Sequence, residues 1–196
     1  MGKAVLMSIN PKWCDLIADG KKTIEVRKKR PKLETPFKVY IYCTKPPRGR
    51  VHMYDAFGFG NNAVEYGGKV IGEFVCRGIM QPFNSLSRMA KESCLTEQEL
   101  FDYSMGKPLY GWRITDLVIY ENPQELRGFY TIDNVAVQKC KHRVQSYFDG
   151  YCNSGCLKCG FYCSKKDDWC DKCKAKPITR PPQSWCYVKE QGNGKR

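Results

Sequence analysis

The stretch Asp19–Pro31, DGKKTIEVRKKRP, sets Glu25 among lysines and arginines, with Ile24 and Val26 on either side of it. Upstream, Asn10-Pro11 supplies a helix N-cap and a proline at the first helical position, and Trp13, Leu16 and Ile17 form one apolar face. The expected helix therefore runs from Pro11 to Asp19. Gly20 ends it, because glycine takes the left-handed conformation that lets the chain reverse. Lys22 to Arg27 then alternates β-branched with polar residues and reads as a strand. Two-residue periodicity puts Glu25 and Arg27 on one face, with Ile24 and Val26 pointing into the core. Lys22 sits at the helix-to-strand junction, within reach of the same face. A carboxylate between two cations holds both in place and leaves their outer donors for a phosphate or a base edge.

Outward from this corner, Ala4 to Ser8 reads as a short strand or an entry into the first helix, and Lys38–Cys43 as a strand. Gly68–Cys76 is apolar on both faces and is expected inside a sheet. Residues 51–67, glycine-rich, read as irregular. Ser85 to Tyr103 turns helical, with Thr96 and Glu99 as a capping box. Tyr110 to Tyr120 alternates as one long strand that Asn122-Pro123 closes, and Gln183–Val188 is a final strand. Strands in this number with few helices predict an α+β fold: a small, strongly curved sheet or barrel with flanking helices.

The 196 residues carry 33 Lys and Arg against 20 Asp and Glu, a formal charge of +13. Such an excess favours a polyanionic partner through counterion release, and the 12 Tyr, 9 Phe and 4 Trp offer stacking surfaces. Nucleic acid is the expected partner class. The chain has neither an apolar run long enough to span a membrane nor the apolar core of a signal peptide, so a cytoplasmic location and no membrane partner are expected.

Of the 12 cysteines, Cys14, Cys43, Cys76 and Cys94 stand singly in apolar surroundings and read as core side chains. Within 132–179, Cys156/Cys159 and Cys170/Cys173 form two C-x2-C pairs with ten residues between them, spaced to present four thiolates to one tetrahedral zinc. Cys140, Cys152, Cys163 and His142 compete for the first pair's place. The segment holds few large apolar residues, so a structural zinc would supply its folding energy.

Gly20-x-Lys22-x-x-Glu25-x-Arg27 matches G-x-K-x-x-E-x-R, the signature of the ASCH domain family. Five blocks resemble that family in order: Ser8–Lys32, Pro36–Lys45, Gly68–Cys76, Leu109–Leu126 and Arg180–Val188. The likeness is to the type found in Firmicutes and their phages. It implies a PUA-like β-barrel with a nucleotide-binding cleft, organised as an ASCH domain over 1–131, a Cys-rich zinc-binding insert over 132–179, the last barrel strand over 180–190 and a disordered tail over 191–196. The resemblance also favours Cys140, Cys163, Cys170 and Cys173 as the zinc ligands. Four of Cys140, Cys156, Cys159, Cys163, Cys170 and Cys173 are expected to bind, and both arguments include Cys170 and Cys173.

Two functions follow from the resemblance. One is a non-catalytic binder of RNA or a modified nucleotide, with Lys22, Glu25 and Arg27 lining the cleft and Lys28, Lys29 and Arg30 holding phosphates. The other is a hydrolase, an amidohydrolase on N4-acetylated cytidine or a ribonuclease, with Lys22 and Glu25 catalytic and Thr23 assisting. In the amidohydrolase type the position of Glu25 is a threonine. An acid there stabilises the ammonium of Lys22 and weighs against a lysine nucleophile, so binding is the primary reading. A third role, a protein-interaction adaptor, rests on the zinc module.

Overall fold

The structure, a computed structural model, describes residues 2–45, 66–81, 86–131 and 177–191. In chain order these form β1 (Lys3–Ile9), α1 (Pro11–Ala18), β2 (Ile24–Arg27), β3 (Phe37–Cys43), β4 (Lys69–Cys76), β5 (Ile79–Met80), α2 (Leu86–Ser93), α3 (Glu97–Ser104), β6 (Tyr110–Arg113), β7 (Thr115–Glu125), a 3-10 turn (Leu126–Gly128) and β8 (Trp185–Lys189). The fold is α+β. The strands make a five-stranded sheet in the order β7-β4-β3-β1-β8 and a three-stranded sheet in the order β2-β6-β5. Among the described residues only the β1–β3 strand pairing is parallel. The expected barrel is thus two sheets, and the described residues do not close it.

Local chemistry sets the corner around α1. The Asn10 side chain accepts from the Lys12 backbone N–H at 3.2 Å, and Pro11 occupies the first turn. At the other end Gly20 has φ +71°, and the Lys22 N–H returns to the Leu16 carbonyl at 2.9 Å. This reversal delivers the chain into β2, which starts at Ile24, two residues later than its alternation suggested.

Three apolar clusters organise the rest. One lies between the sheets beneath α1 and includes Met7, Ile17, Ile41, Phe74 and Trp112. A second covers the opposite face of the large sheet with Leu6, Tyr40, Val70, Phe129 and Val188. Both faces of β3 and β4 are therefore covered, and β4 lies inside the sheet between β3 and β7. Gly72 belongs to this crowding, since a Cβ there would run into the Val118 carbonyl oxygen of β7. The third cluster joins Ile24, Val26, Met89, Leu100 and Leu109. Ile24 and Val26 thus face α2 and α3, not the space between the sheets, which corrects the orientation expected for them. Two apolar cores compete for this strand, and the helices take its apolar side.

Other expectations also change. Tyr110–Tyr120 is not one strand: β6 ends at Arg113, Asp116 adopts φ +48°, and β7 pairs with β4 in the other sheet. Nor does Asn122-Pro123 end β7, which continues to Glu125 through a register shift opposite Val70 and Gly72. A proline is accommodated there because β7 is a sheet edge among the described residues, where its missing N–H breaks no ladder. The helical run from Ser85 is two helices separated at Cys94 (φ +55°). Thr96 then starts α3 with a complete capping box, Thr96 N donating to Glu99 Oε2 at 2.7 Å and Glu99 N to Thr96 Oγ1 at 3.1 Å.

Candidate functional site

The Gly20 reversal carries Lys22 under α1, while strand parity points Glu25 and Arg27 into the space between the sheets. Across β2–β6, Glu25 stands opposite Trp112 and Arg27 opposite Tyr110. The Lys22, Glu25 and Arg27 side chains are only 2%, 7% and 12% exposed. Lys22 Nζ is 3.3 Å from Glu25 Oε2, and Arg27 Nη2 is 3.0 Å from Glu25 Oε1. One carboxylate thus bridges two cations.

Backbone carbonyls complete the cluster. Lys22 Nζ donates to the Ser93 carbonyl at 2.7 Å and lies 5.0 Å from the centre of the Trp13 ring. Ser93 closes α2, so the ammonium meets the negative end of a helix dipole and an aromatic face at once. Arg27 Nη2 donates to the Ser8 carbonyl at 2.6 Å, just past the last registered β1–β8 pair. Trp112 sits between Phe37 and Trp185, with ring centres 5.6 and 5.7 Å away.

Three buried polar atoms of this cluster make no hydrogen bond: Glu25 Oε2, Arg27 Nε and Trp112 Nε1. Two cations against one carboxylate also leave the cluster a formal +1. Buried polar atoms are nearly always paired and buried charges balanced, and this cluster departs from both rules among the described residues.

The structure brings Lys22, Glu25 and Arg27 together and leaves the other expected residues outside. Thr23 is exposed, its hydroxyl donating to the Glu92 carbonyl at 3.4 Å. Lys28 stands apart from this cluster, its ammonium 4.8 Å from the centre of the Tyr103 ring on α3. Lys29 and Arg30 are exposed beyond the end of β2. Sequence reasoning missed Trp13, Ser8, Ser93 and Trp112. For Trp13 a signal exists, since it precedes the motif lysine by about one and a half helical turns and a loop; for Ser93 none does.

Of the single cysteines, Cys14, Cys43 and Cys76 are core residues, whereas Cys94 is only half-buried at the break between α2 and α3, its thiol donating to the Lys21 carbonyl at 3.4 Å. Burial pushes the Cys14 thiol well up, with neighbouring Cys43 adding to the shift, and raises Cys76 to about 11. Both stay protonated thiols at neutral pH. Burial, and then Asp19, also raise the Asp15 carboxyl. Cys140, Cys156, Cys159, Cys163, Cys170 and Cys173 lie outside the described residues. Among the described residues no group of His, Cys, Asp and Glu is arranged to hold a metal, and no helix is long and apolar enough to cross a membrane.

No curated protein matches the chain. Among solved structures it is similar to the crystal structure of ASCH from Zymomonas mobilis, at 26% identity over 63% of this chain and 73% of that one, with a TM-score of 0.47. A point mutant of the same Zymomonas mobilis protein is similar at 22% identity, covering 63% of this chain and 76% of that one, with a TM-score of 0.45. The ASCH domain profile matches residues 7–179, from β1 to just short of β8. The motif at Gly20–Arg27 falls inside that span, and the chain belongs to the ASCH domain family.

Proposed function

We propose that this protein binds RNA or a modified nucleotide without consuming it, in the cleft between the sheets built on Lys22, Glu25 and Arg27. The observation that carries this reading is the buried, net-positive cluster with two unpartnered donors, Arg27 Nε and Trp112 Nε1. A base edge carrying acceptors complements them. Lys29 and Arg30 outside the cleft then meet phosphates. Lys22 is engaged by Ser93, Glu25 and Trp13, an arrangement that serves positioning, not nucleophilic attack. Labelled RNA and N4-acetylcytidine, each incubated with the pure protein, provide the test. Salt-sensitive binding with no product supports the proposal, and product formation that Lys22→Ala abolishes refutes it.

One observation favours a second reading. Glu25 Oε2 is a buried carboxylate oxygen met by the Lys22 ammonium at 3.3 Å and by no hydrogen bond, and in this reading it would act as a general base in an amidohydrolase or a ribonuclease. The same incubation separates the two.

For the Cys-rich segment, the proposal is one structural zinc held by four of the six cysteines, Cys170 and Cys173 among them. This rests on their spacing. A cytoplasmic protein of the Firmicutes and phage type, with any protein partner engaged through the zinc module, completes the proposed assignment.

A further inference from the structure

Trp185 and Tyr187 alternate along β8 and stand opposite Met7 and Val5 of β1, whose side chains belong to the core between the sheets. Both rings therefore lie on the cleft side. Trp185 is 5.7 Å from Trp112 and 5.4 Å from Tyr187, so aromatic rings run outward from the cluster at Glu25 to the edge strand of the large sheet. Trp185 and Tyr187 are half-buried, where Trp112 is fully buried. The Tyr187 hydroxyl accepts from the Lys32 backbone N–H at 2.6 Å, which ties the outer end of the run to the loop after β2. That loop carries the exposed Lys29, Arg30 and Lys32. β8 lies beyond residue 179, where the family match stops.

We propose that Trp185 and Tyr187 form a stacking subsite for a second nucleotide, next to the one held by Lys22, Glu25 and Arg27, with Lys29 and Arg30 meeting the phosphate between them. The preferred partner is then single-stranded RNA of two or more nucleotides, with a single nucleoside or nucleotide held more weakly by the first subsite alone. This rests on the nucleotide-binding reading of the cleft. Partly exposed aromatics beside cations bind unpaired bases through their π-faces with little regard to sequence. Paired bases have no free face to offer, so duplex RNA does not fit.

Fluorescence titration with ribonucleoside monophosphates and with a short mixed-sequence single-stranded oligoribonucleotide tests the subsite. The wild type should bind the oligonucleotide roughly tenfold or more tightly than the monophosphates. Tyr187→Ala should remove most of that advantage and leave monophosphate affinity unchanged, which also shows an intact fold. Tyr187→Phe, which keeps the ring, should retain most of it. Equal wild-type affinity for the two ligands overturns the subsite while the cleft reading stands. Unchanged oligonucleotide binding by Tyr187→Ala overturns it too, and binding of neither ligand sinks both proposals.

Discussion

The Lys22 ammonium and the Glu25 carboxylate lie 3.3 Å apart with both side chains almost wholly buried, and Glu25 also grips Arg27 at 3.0 Å. Because Glu25 is the only compensating carboxylate of the cluster among the described residues, its charge matters more than its volume. Glu25→Gln keeps the shape and strands two buried cations. A loss of about 3 kcal/mol is expected, the scale for breaking a buried ion pair from one side. Urea unfolding measures it; a midpoint equal to wild type contradicts the bridging role.

Trp13 supports Lys22 from the face of its ring, 5.0 Å from the ammonium. Trp13→Leu retains an apolar side chain and removes the π-face. The expected cost is about 1 kcal/mol, the usual range for such a contact. Thermal unfolding of the two proteins side by side reads it out, and a variant as stable as wild type would remove Trp13 from the site.

Much of this corner is written locally. Asn10, Pro11 and Gly20 bound α1, and the spacing of Glu25 and Arg27 puts them on one face, because caps and strand parity depend only on near neighbours in the chain. Other features depend on distant pairing. The alternation of Tyr110–Tyr120 is the same on either side of Ile114, and what divides it is that β6 pairs with β2 while β7 pairs with β4. Ile24 and Val26 were legible as apolar but not as facing α2 and α3, since a residue's period says nothing about which of two cores will cover it. The acceptor of Lys22 lies 71 residues away at Ser93, with no local mark.

Gly72 tests the close approach of β4 and β7. Gly72→Ala puts a methyl group against the Val118 carbonyl, a backbone atom that cannot rotate aside. A loss of about 1–3 kcal/mol follows from overpacking of this kind. The denaturation midpoint should fall with the slope unchanged; an unaltered midpoint would mean that the strands separate freely there.

The capping box of α3 gives a pH dependence. Hydrogen bonds from the Thr96 backbone and side chain lower the Glu99 carboxyl below its ordinary value. A depressed folded-state value means that the contribution is complete above the unfolded value and is lost as pH falls through the folded one. Thr96→Ala should cost about 1 kcal/mol at neutral pH, and this difference should shrink in acid as Glu99 is protonated. Stability curves of both proteins across acidic pH decide the point, and a constant gap would detach Glu99 from the cap.

Zinc content is expected at one ion per chain by metal analysis. Cys170→Ser or Cys173→Ser should lose it, and Cys14→Ser, a buried thiol of the apolar core, should keep it. Full zinc retention in both of the first two variants would exclude those ligands.

The most direct test of the cleft is equilibrium dialysis of the protein against ribonucleosides and N4-acetylcytidine, with chromatography of the ligand recovered from the protein side. Retention of ligand that is recovered chemically unchanged, and that drops about tenfold or more in Arg27→Ala, is the predicted result. No retention, or N4-acetylcytidine recovered as cytidine, would contradict it.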